Sequence, residues 1–375
     1  MPVNISYYFL FDEKENRQDV SPTLQGALYI KGALDFKQIL DSHTLPVDKM
    51  RGTIPLDMHQ FERLFTTTRN PHKSQDTLTY LTPANYVVVL SNNQIFALDV
   101  YYENNPAKPL STRDLQQQLE RIKEESSRRT AEFRGLSALT ADDRDEWARW
   151  KEELVKLSPR NAENFSVIDK ALFVLSLDEE APADSDAAGK LCLAGNAGNR
   201  WLDKIVNFIV FRNGRGGLIG EHTPIDAPTA GMMADHMTRF IEKNRAALLA
   251  APSAGSSLPA PRKLTWQVST HVEAAVHKAL DSYNKLASDV DYRILLFKSY
   301  GADWLKDKAK LSPDAYVQVA MQLTYYRLTG TGTSLPLFLF TQCPPRKEPR
   351  RMRREPHDNT TMAGPKPSDL SRRSR

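Results

Sequence analysis

Hydrophobic positions in the first part of the chain change from helical to strand spacing. Residues 24–40, LQGALYIKGALDFKQIL, place apolar side chains at helical intervals and predict an amphipathic helix. Residues 85–102, NYVVVLSNNQIFALDVYY, predict two strands that meet at Asn92 and Asn93, a pair suited to a tight hairpin turn. A β-sheet therefore begins in this region.

Helix start signals recur in the next stretch. Ser111 is an expected N-cap with Asp114 three residues later, and Thr140 with Asp143 repeats the pattern. The second of these helices carries an apolar stripe that we predict to be buried, formed by Trp147, Trp150, Leu154 and Leu157. After another short helix, the run ALFVLSL from Ala171 has the length of a buried strand rather than of a membrane segment.

A second hairpin is predicted near the middle of the chain. Residues 179–189 form an acidic, Ala-rich loop, and the apolar runs 205–211 and 217–219 then flank an Asn-Gly pair at 213–214. Asn-Gly tolerates the positive φ that tight hairpins require. His222 is therefore expected just beyond the end of a strand.

The last third of the chain mixes helices with a linker rich in Pro, Ser and Ala. The predicted elements are a helix ending at 249, the linker 250–262, a strand at 263–268, a helix and a strand at 293–299. A final helix is capped at Ser312 with Pro313 in its first turn. One face of this helix carries Tyr316, Val319, Ala320 and Leu323.

Composition separates a globular part from a basic tail. Apolar residues make up 41% of the chain, enough for a core, but residues 344–375 hold ten Lys or Arg against four Asp or Glu. The formal net charge of +4 therefore leaves residues 1–343 at about −2, which argues against a nucleic-acid-binding domain. Cys192 and Cys343, far apart, indicate neither a disulfide framework nor a zinc site.

The sequence also bears on the compartment. The N-terminal residues lack the basic flank and apolar core of a signal peptide, and no apolar run reaches the length of about 18 residues that spans a bilayer. We expect a soluble protein that is not secreted and that resides in a reducing compartment.

Candidate chemistry centres on residues 217–228, GLIGEHTPIDAP. His222 lies at a strand end, where it could act as a general base, since histidine exchanges a proton near neutral pH. From this pattern alone a structural histidine in a Pro-containing loop is the alternative. The Gly-rich NGRGGLIG opens no helix and so is no phosphate loop, and Glu-His-x-x-x-Asp is not a zinc-ligand spacing.

Several separated blocks, in order, resemble the choline/carnitine O-acyltransferase family. They are ISYYFLF, ALDFKQILDSHTLPVD, RGTIPLDMHQFERLFTTTRNPHKSQDT, VVVLSNNQIFALDVY, LTADDRDEWA, NRWLDK, GEHTP and LSPDAYVQVAMQLTYYRL. The resemblance covers residues 6–330. It implies an α/β, chloramphenicol-acetyltransferase-like CoA-dependent acyltransferase fold, with a mixed sheet and surrounding helices.

The resemblance implies a reaction and a set of site residues. His222 would be the catalytic base of reversible acyl transfer between CoA and carnitine, with choline as the alternative acceptor. The resemblance is greatest to the acetyl-specific members, so acetyl is the expected acyl group. Asp226 would support it, at a position where family members usually carry Glu. Acyl-CoA would be a co-substrate bound by Lys306, Lys310 and Asp314, with no bound cofactor or metal and with a monomeric protein. A solvated Lys-rich loop is the alternative for these lysines, because Ala302 replaces the first lysine of the family block.

Domain organisation is also expected from the resemblance. Residues 1–330 would be a partial acyltransferase domain, and residues 331–375 a divergent, disordered basic tail. The family chain is longer at both ends, so the second domain, with its oxyanion and carboxylate-binding groups, is expected to be largely missing and activity impaired. A catalytically dead CoA-binding fragment is the alternative, and a tail that docks membranes or nucleic acid through residues 346–354 is a third. Family members serve mitochondria, peroxisomes and cytosol, so a mitochondrial or peroxisomal location is expected and a cytosolic one stays open.

Overall fold

The computed structural model describes residues 6–11, 20–50, 52–82, 84–103, 105–128, 130, 132–253, 258–331 and 353–354. The apolar run 334–340, Cys343 and nearly all of the basic tail lie outside these residues. The described strands are β1 (Tyr7–Leu10), β2 (Lys49–Met50), β3 (Ile54–Pro55), β4 (Thr67–Asn70), β5 (Thr77–Tyr80), β6 (Tyr86–Ser91), β7 (Gln94–Asp99), β8 (Tyr101–Tyr102), β9 (Asn105–Pro109), β10 (Val174–Leu177), β11 (Val206–Val210), β12 (Gly216–Gly220), β13 (Arg262–Leu264) and β14 (Arg353–Arg354).

Seven of these strands form one mixed sheet, in the order β1-β12-β11-β10-β6-β7-β13. Strand β10 runs parallel to both β6 and β11, whereas the remaining pairs are antiparallel. The predicted buried strand after Ala171 is confirmed, because every residue of β10 is buried. A continuous apolar run suits this central position, since both faces of the strand are covered.

Helices cover the sheet on both faces. They are α1 (Pro22–Asp41), α2 (Thr112–Ser127), α3 (Arg144–Leu157), α4 (Pro159–Lys170), α5 (Ser185–Ala194), α6 (Ala227–Ala250), α7 (Thr270–Ser288), α8 (Ala302–Asp307) and α9 (Pro313–Thr329). Neighbouring strand residues enter opposite cores: Val89 packs with side chains of α1, α2 and α6, and Val88 with side chains of α3, α4, α5 and α7. The expected mixed sheet with surrounding helices is confirmed.

Local signals place most elements, with some corrections. The Ser111 hydroxyl accepts the Asp114 N–H and caps α2 as predicted. The cap of α3 is Asp143, not Thr140, which lies in a 3-10 turn and donates to the Ser137 carbonyl. The acidic residues 179–189 were expected to form only a loop, but Asp184 caps α5 there.

Both predicted hairpins are present. Asn92 and Asn93 adopt φ values of 50° and 60° between β6 and β7, the left-handed conformation expected of a tight two-residue turn. Between β11 and β12, Gly214 takes φ 80°. The prediction of a buried stripe on α3 is only partly confirmed, because Trp147 and Leu154 are buried but Leu157 is exposed.

The predicted strand at 293–299 is wrong. The segment has the composition of a strand but forms no regular structure, and its Leu295 is 87% exposed. Instead it is tethered to α5, where the Asp186 carboxylate accepts the Ile294 N–H at 2.7 Å. Composition alone cannot form a strand without a free sheet edge to pair with. The predicted strand at 263–268 is shorter than expected, since β13 ends at Leu264.

Helix α9 begins at Pro313, directly after its predicted N-cap Ser312. Within the described part of the chain, the predicted apolar face of this helix is exposed. No residue of α9 is buried, and Val319 and Leu323 are 61% and 46% exposed. This face and the neighbouring segment expose large apolar side chains at Leu295, Leu296, Phe297, Trp304, Leu311, Tyr316, Val317, Val319, Leu323, Tyr326 and Leu328.

Candidate functional site

His222 lies two residues beyond the end of β12, as the hairpin pattern predicts. Strand β12 pairs with β1 so that Gly220 is opposite Tyr7. A Cβ atom at Gly220 would come within 2.3 Å of the Tyr7 ring, so glycine is needed for this close approach. The Tyr7 ring is therefore packed against Gly220, the last residue of β12.

The Tyr7 ring also contacts His222. The two rings are edge-on, with centroids 5.3 Å apart and planes at 85°. Burial raises the pKa of Tyr7 far above its usual range, and the nearby Glu221 and Asp226 charges add to the effect. The hydroxyl is thus neutral at physiological pH. The His222 side chain is 45% exposed, so it is open to solvent while one edge is supported.

Asp226 lies four residues after His222, at the N-cap of α6. Its Oδ1 is 3.7 Å from His222 Nε2, beyond hydrogen-bond range. Its other oxygen accepts Gln60 Nε2 at 3.1 Å, and Gln60 Oε1 accepts the Asp226 N–H at 2.8 Å. Gln60 Oε1 also accepts the Thr229 hydroxyl. Asp226 therefore joins the loop to the 3-10 turn at His59–Arg63 and contacts His222 only weakly.

Glu221, directly before His222, makes several short hydrogen bonds. Its Oε1 accepts Arg69 Nη1 at 2.8 Å and the Thr223 hydroxyl at 2.6 Å, and its Oε2 accepts the Thr223 N–H at 2.7 Å. Glu221 is only 5% exposed. The sequence pattern alone predicts no role for Glu221, Arg69 or Gln60. A charged residue at the end of an otherwise apolar strand was the available signal, but its partner could not be identified from sequence.

The expected CoA-binding residues lie on the exposed α8–α9 segment. Lys306 is in the last turn of α8, Lys310 precedes the Ser312 cap with φ 55°, and Asp314 is in the first turn of α9. All three are exposed. Within the described residues no hydrogen bond or ion pair links them to the His222 loop. Lysines beside a helix N-terminus suit an anionic group.

Two further properties of the described residues bear on function. No group of three or more His, Cys, Asp or Glu side chains among them is arranged to hold a metal ion. Nor does any helix in the described ranges have the length and apolarity needed to cross a membrane.

A cavity of about 310 Å³ lies away from His222. It is lined by Asn92, Asn93, Arg134, Leu177, Glu179, Glu180, Asn196 and Asn199.

Comparison with known proteins places these features in a family context. The model of the choline/carnitine O-acyltransferase family matches residues 1–335. Choline O-acetyltransferase of Danio rerio is 33% identical over 346 residues, which cover 88% of this chain and 53% of that protein. Carnitine O-acetyltransferase of Rattus norvegicus is 33% identical over 332 residues, covering 84% of this chain and 51% of the relative. The chain thus spans about half the length of the curated relatives it matches.

Proposed function

Since this chain belongs to the choline/carnitine O-acyltransferase family, we propose that it transfers an acyl group, acetyl in the first instance, reversibly between CoA and carnitine. The chloramphenicol-acetyltransferase-like fold expected from the resemblance is confirmed by this membership and by the mixed sheet with helices on both faces. The observation that carries the proposal is His222, held just beyond the end of β12 with an imidazole that is open to solvent.

In the proposed reaction His222 is the general base. An imidazole nitrogen takes the proton of the acceptor hydroxyl, and the hydroxyl oxygen attacks the thioester carbonyl of acyl-CoA. The C–S bond of the resulting tetrahedral adduct breaks, the ester remains, and the CoA sulfur takes the proton back from the imidazolium. A positioned base of this kind typically contributes about 10²- to 10⁴-fold in rate.

CoA is proposed to bind along α8 and the start of α9. Lys306 and Lys310 would pair with its phosphates, and the positive end of the α9 helix dipole would add to the attraction. Asp314 is assigned to the same site by the family resemblance alone. Lysines that merely face solvent are the competing explanation, and Ala302 in place of a family lysine favours weak binding.

Choline is the second candidate acceptor. The relatives include choline and carnitine acetyltransferases at the same identity of 33%, so overall similarity does not separate the two.

The His222 side chain is 45% exposed, and a base in contact with water lacks the low-dielectric surroundings that strengthen catalysis. We therefore expect this chain to be slower than the longer relatives, with CoA binding without turnover as the limiting case.

The test is release of CoA thiol from acetyl-CoA with carnitine and, separately, with choline. Wild type and His222→Gln are compared, both as this chain and as a version extended to the length of the relatives. Release that needs an acceptor and falls at least about 100-fold in His222→Gln supports the proposal. No His222-dependent release with either acceptor, in either length, would refute it. The acceptor with the higher kcat/KM decides between carnitine and choline.

A further inference from the structure

A continuous network of buried charges ends at the residue before His222. Arg69 donates from Nε to Asp76 Oδ2 at 2.8 Å and from Nη1 to Glu221 Oε1 at 2.8 Å. Arg144 binds the same Asp76 oxygen at 2.9 Å and also Asp203 at 2.5 Å. Asp203 in turn accepts the indole N–H of a buried tryptophan, which anchors the network in the core.

The carboxylates of this network are almost fully removed from water. Asp76 is 0% exposed, Asp203 3% and Glu221 5%. Burial opposes the charge on Arg144, but Asp203 and Asp76 outweigh it and raise the pKa of Arg144. Buried carboxylates require such partners, because an unpaired charge in the interior is strongly unfavourable. Arg69 is the link that carries this network to the His222 loop.

Glu221 and Thr223 lie on either side of His222 in sequence. The Glu221 carboxylate accepts the N–H and the hydroxyl of Thr223, so these two residues are linked across the histidine backbone. The Thr223 hydroxyl also lies 3.2 Å from Arg69 Nη1. Because one arginine contacts both residues that flank His222, its position limits how the histidine backbone can rotate.

We infer that Arg69 is a positioning residue for His222, acting through the Glu221 carboxylate and Thr223. This inference rests on the proposed general-base role of His222. The planar guanidinium donates to Asp76 and Glu221 from two different nitrogens, a span that the single ammonium of lysine does not reproduce. Arginine is thus required for its geometry and not only for its charge.

Arg69→Lys is the primary test, with Arg200→Lys as the matched control. Arg200 is also a buried arginine, paired with Asp178 through two nitrogens, and has no contact with the His222 loop in the described residues. Both variants should unfold at lower temperature. Only Arg69→Lys should speed amide hydrogen exchange of residues 221–226 relative to the rest of the chain, by about tenfold or more. Glu221→Gln, which keeps the shape and an acceptor oxygen, should act in the same direction and serves if Arg69→Lys does not fold.

Kinetics give the second readout. In Arg69→Lys, kcat for thiol release should fall by about 10- to 100-fold while KM for acetyl-CoA changes by less than about threefold, since a misplaced base affects the chemical step. In Arg200→Lys both constants should match wild type. The inference is overturned if exchange of 221–226 rises no more than in Arg200→Lys, or if it rises and kcat is unchanged. If wild type shows no thiol release, the proposed function fails, and the exchange comparison still decides whether Arg69 orders the loop.

Discussion

The ring of Tyr7 stands edge-on to the ring of His222, with centroids 5.3 Å apart. Tyr7 belongs to β1, one of the two edge strands of the main sheet, and is paired in register with Gly220 on β12. The first described strand of the chain therefore supports the candidate base, although more than 200 residues separate the two in sequence.

Gly220→Ala should disturb the site through the Tyr7 ring. The added methyl group would lie 2.3 Å from the ring, so the tyrosine must move, and we expect a destabilisation of about 1–3 kcal/mol. His222-dependent thiol release should fall as well. Urea unfolding and the thiol assay measure the two effects. Gly301→Ala is the control, because a Cβ there meets no atom within 4 Å; equal behaviour of the two variants would contradict the prediction.

Asp226→Asn should have a small effect on catalysis. The carboxylate lies 3.7 Å from His222 Nε2 and is 69% exposed, and exposed pairs of this type contribute at most about 1 kcal/mol. We expect kcat/KM to fall by no more than about fivefold. Asparagine also retains an oxygen that can accept from Gln60. A loss above about 100-fold would instead identify Asp226 as a direct partner of the base.

Lys204→Met should change how stability depends on pH. Burial lowers the pKa of Lys204 to about 7, with the Asp169 charge opposing the shift. The pKa of an unfolded lysine is about 10.4, so between about pH 7 and about pH 10 the unfolded chain holds a proton that the folded chain lacks. This group therefore makes the free energy of unfolding rise with pH, by at most about 1.4 kcal/mol per pH unit. Below about pH 7 both states are protonated and the slope vanishes.

Urea unfolding of wild type and Lys204→Met at a series of pH values checks this. The free energy of unfolding of wild type minus that of the variant should increase as the pH is raised above about 7. The variant also removes the donor to the Thr68 hydroxyl and the Asp169 carbonyl, which adds a loss of about 1–3 kcal/mol. Lys156→Met, at an exposed lysine, is the control. A difference independent of pH would show that Lys204 keeps its proton when buried.

Val319→Glu should reduce self-association without lowering stability. Val319 is 61% exposed on α9, so little apolar area is lost from the core, and the free energy of unfolding should change by less than about 0.5 kcal/mol. The new charge interrupts the exposed apolar face, so light scattering of concentrated protein should decrease. Thr324→Glu places the same charge on an exposed polar position of α9. If both substitutions lower scattering equally, the added charge alone explains the decrease, and the exposed apolar face does not cause the self-association.

Much of the fold could be predicted because its signals are local. Apolar spacing predicted α1, the Asn92–Asn93 turn predicted the β6–β7 hairpin, and a continuous apolar run predicted β10. The strand expected at 293–299 failed because strand formation depends on a partner edge that is not encoded in the segment itself. The assignments of Lys306, Lys310 and Asp314 to CoA stay predictions.

For the candidate site, the place of His222 just beyond a strand could be predicted from the sequence, because turn and strand preferences act over a few neighbouring residues. The distant groups that meet beside it could not, because they come together only when the chain folds. Arg69 and Glu221 are 152 positions apart, and Gln60 and Asp226 are 166 apart. These contacts follow from strand register and helix packing. Contacts between residues so far apart in sequence produce no repeating pattern of residue types from which they could be predicted.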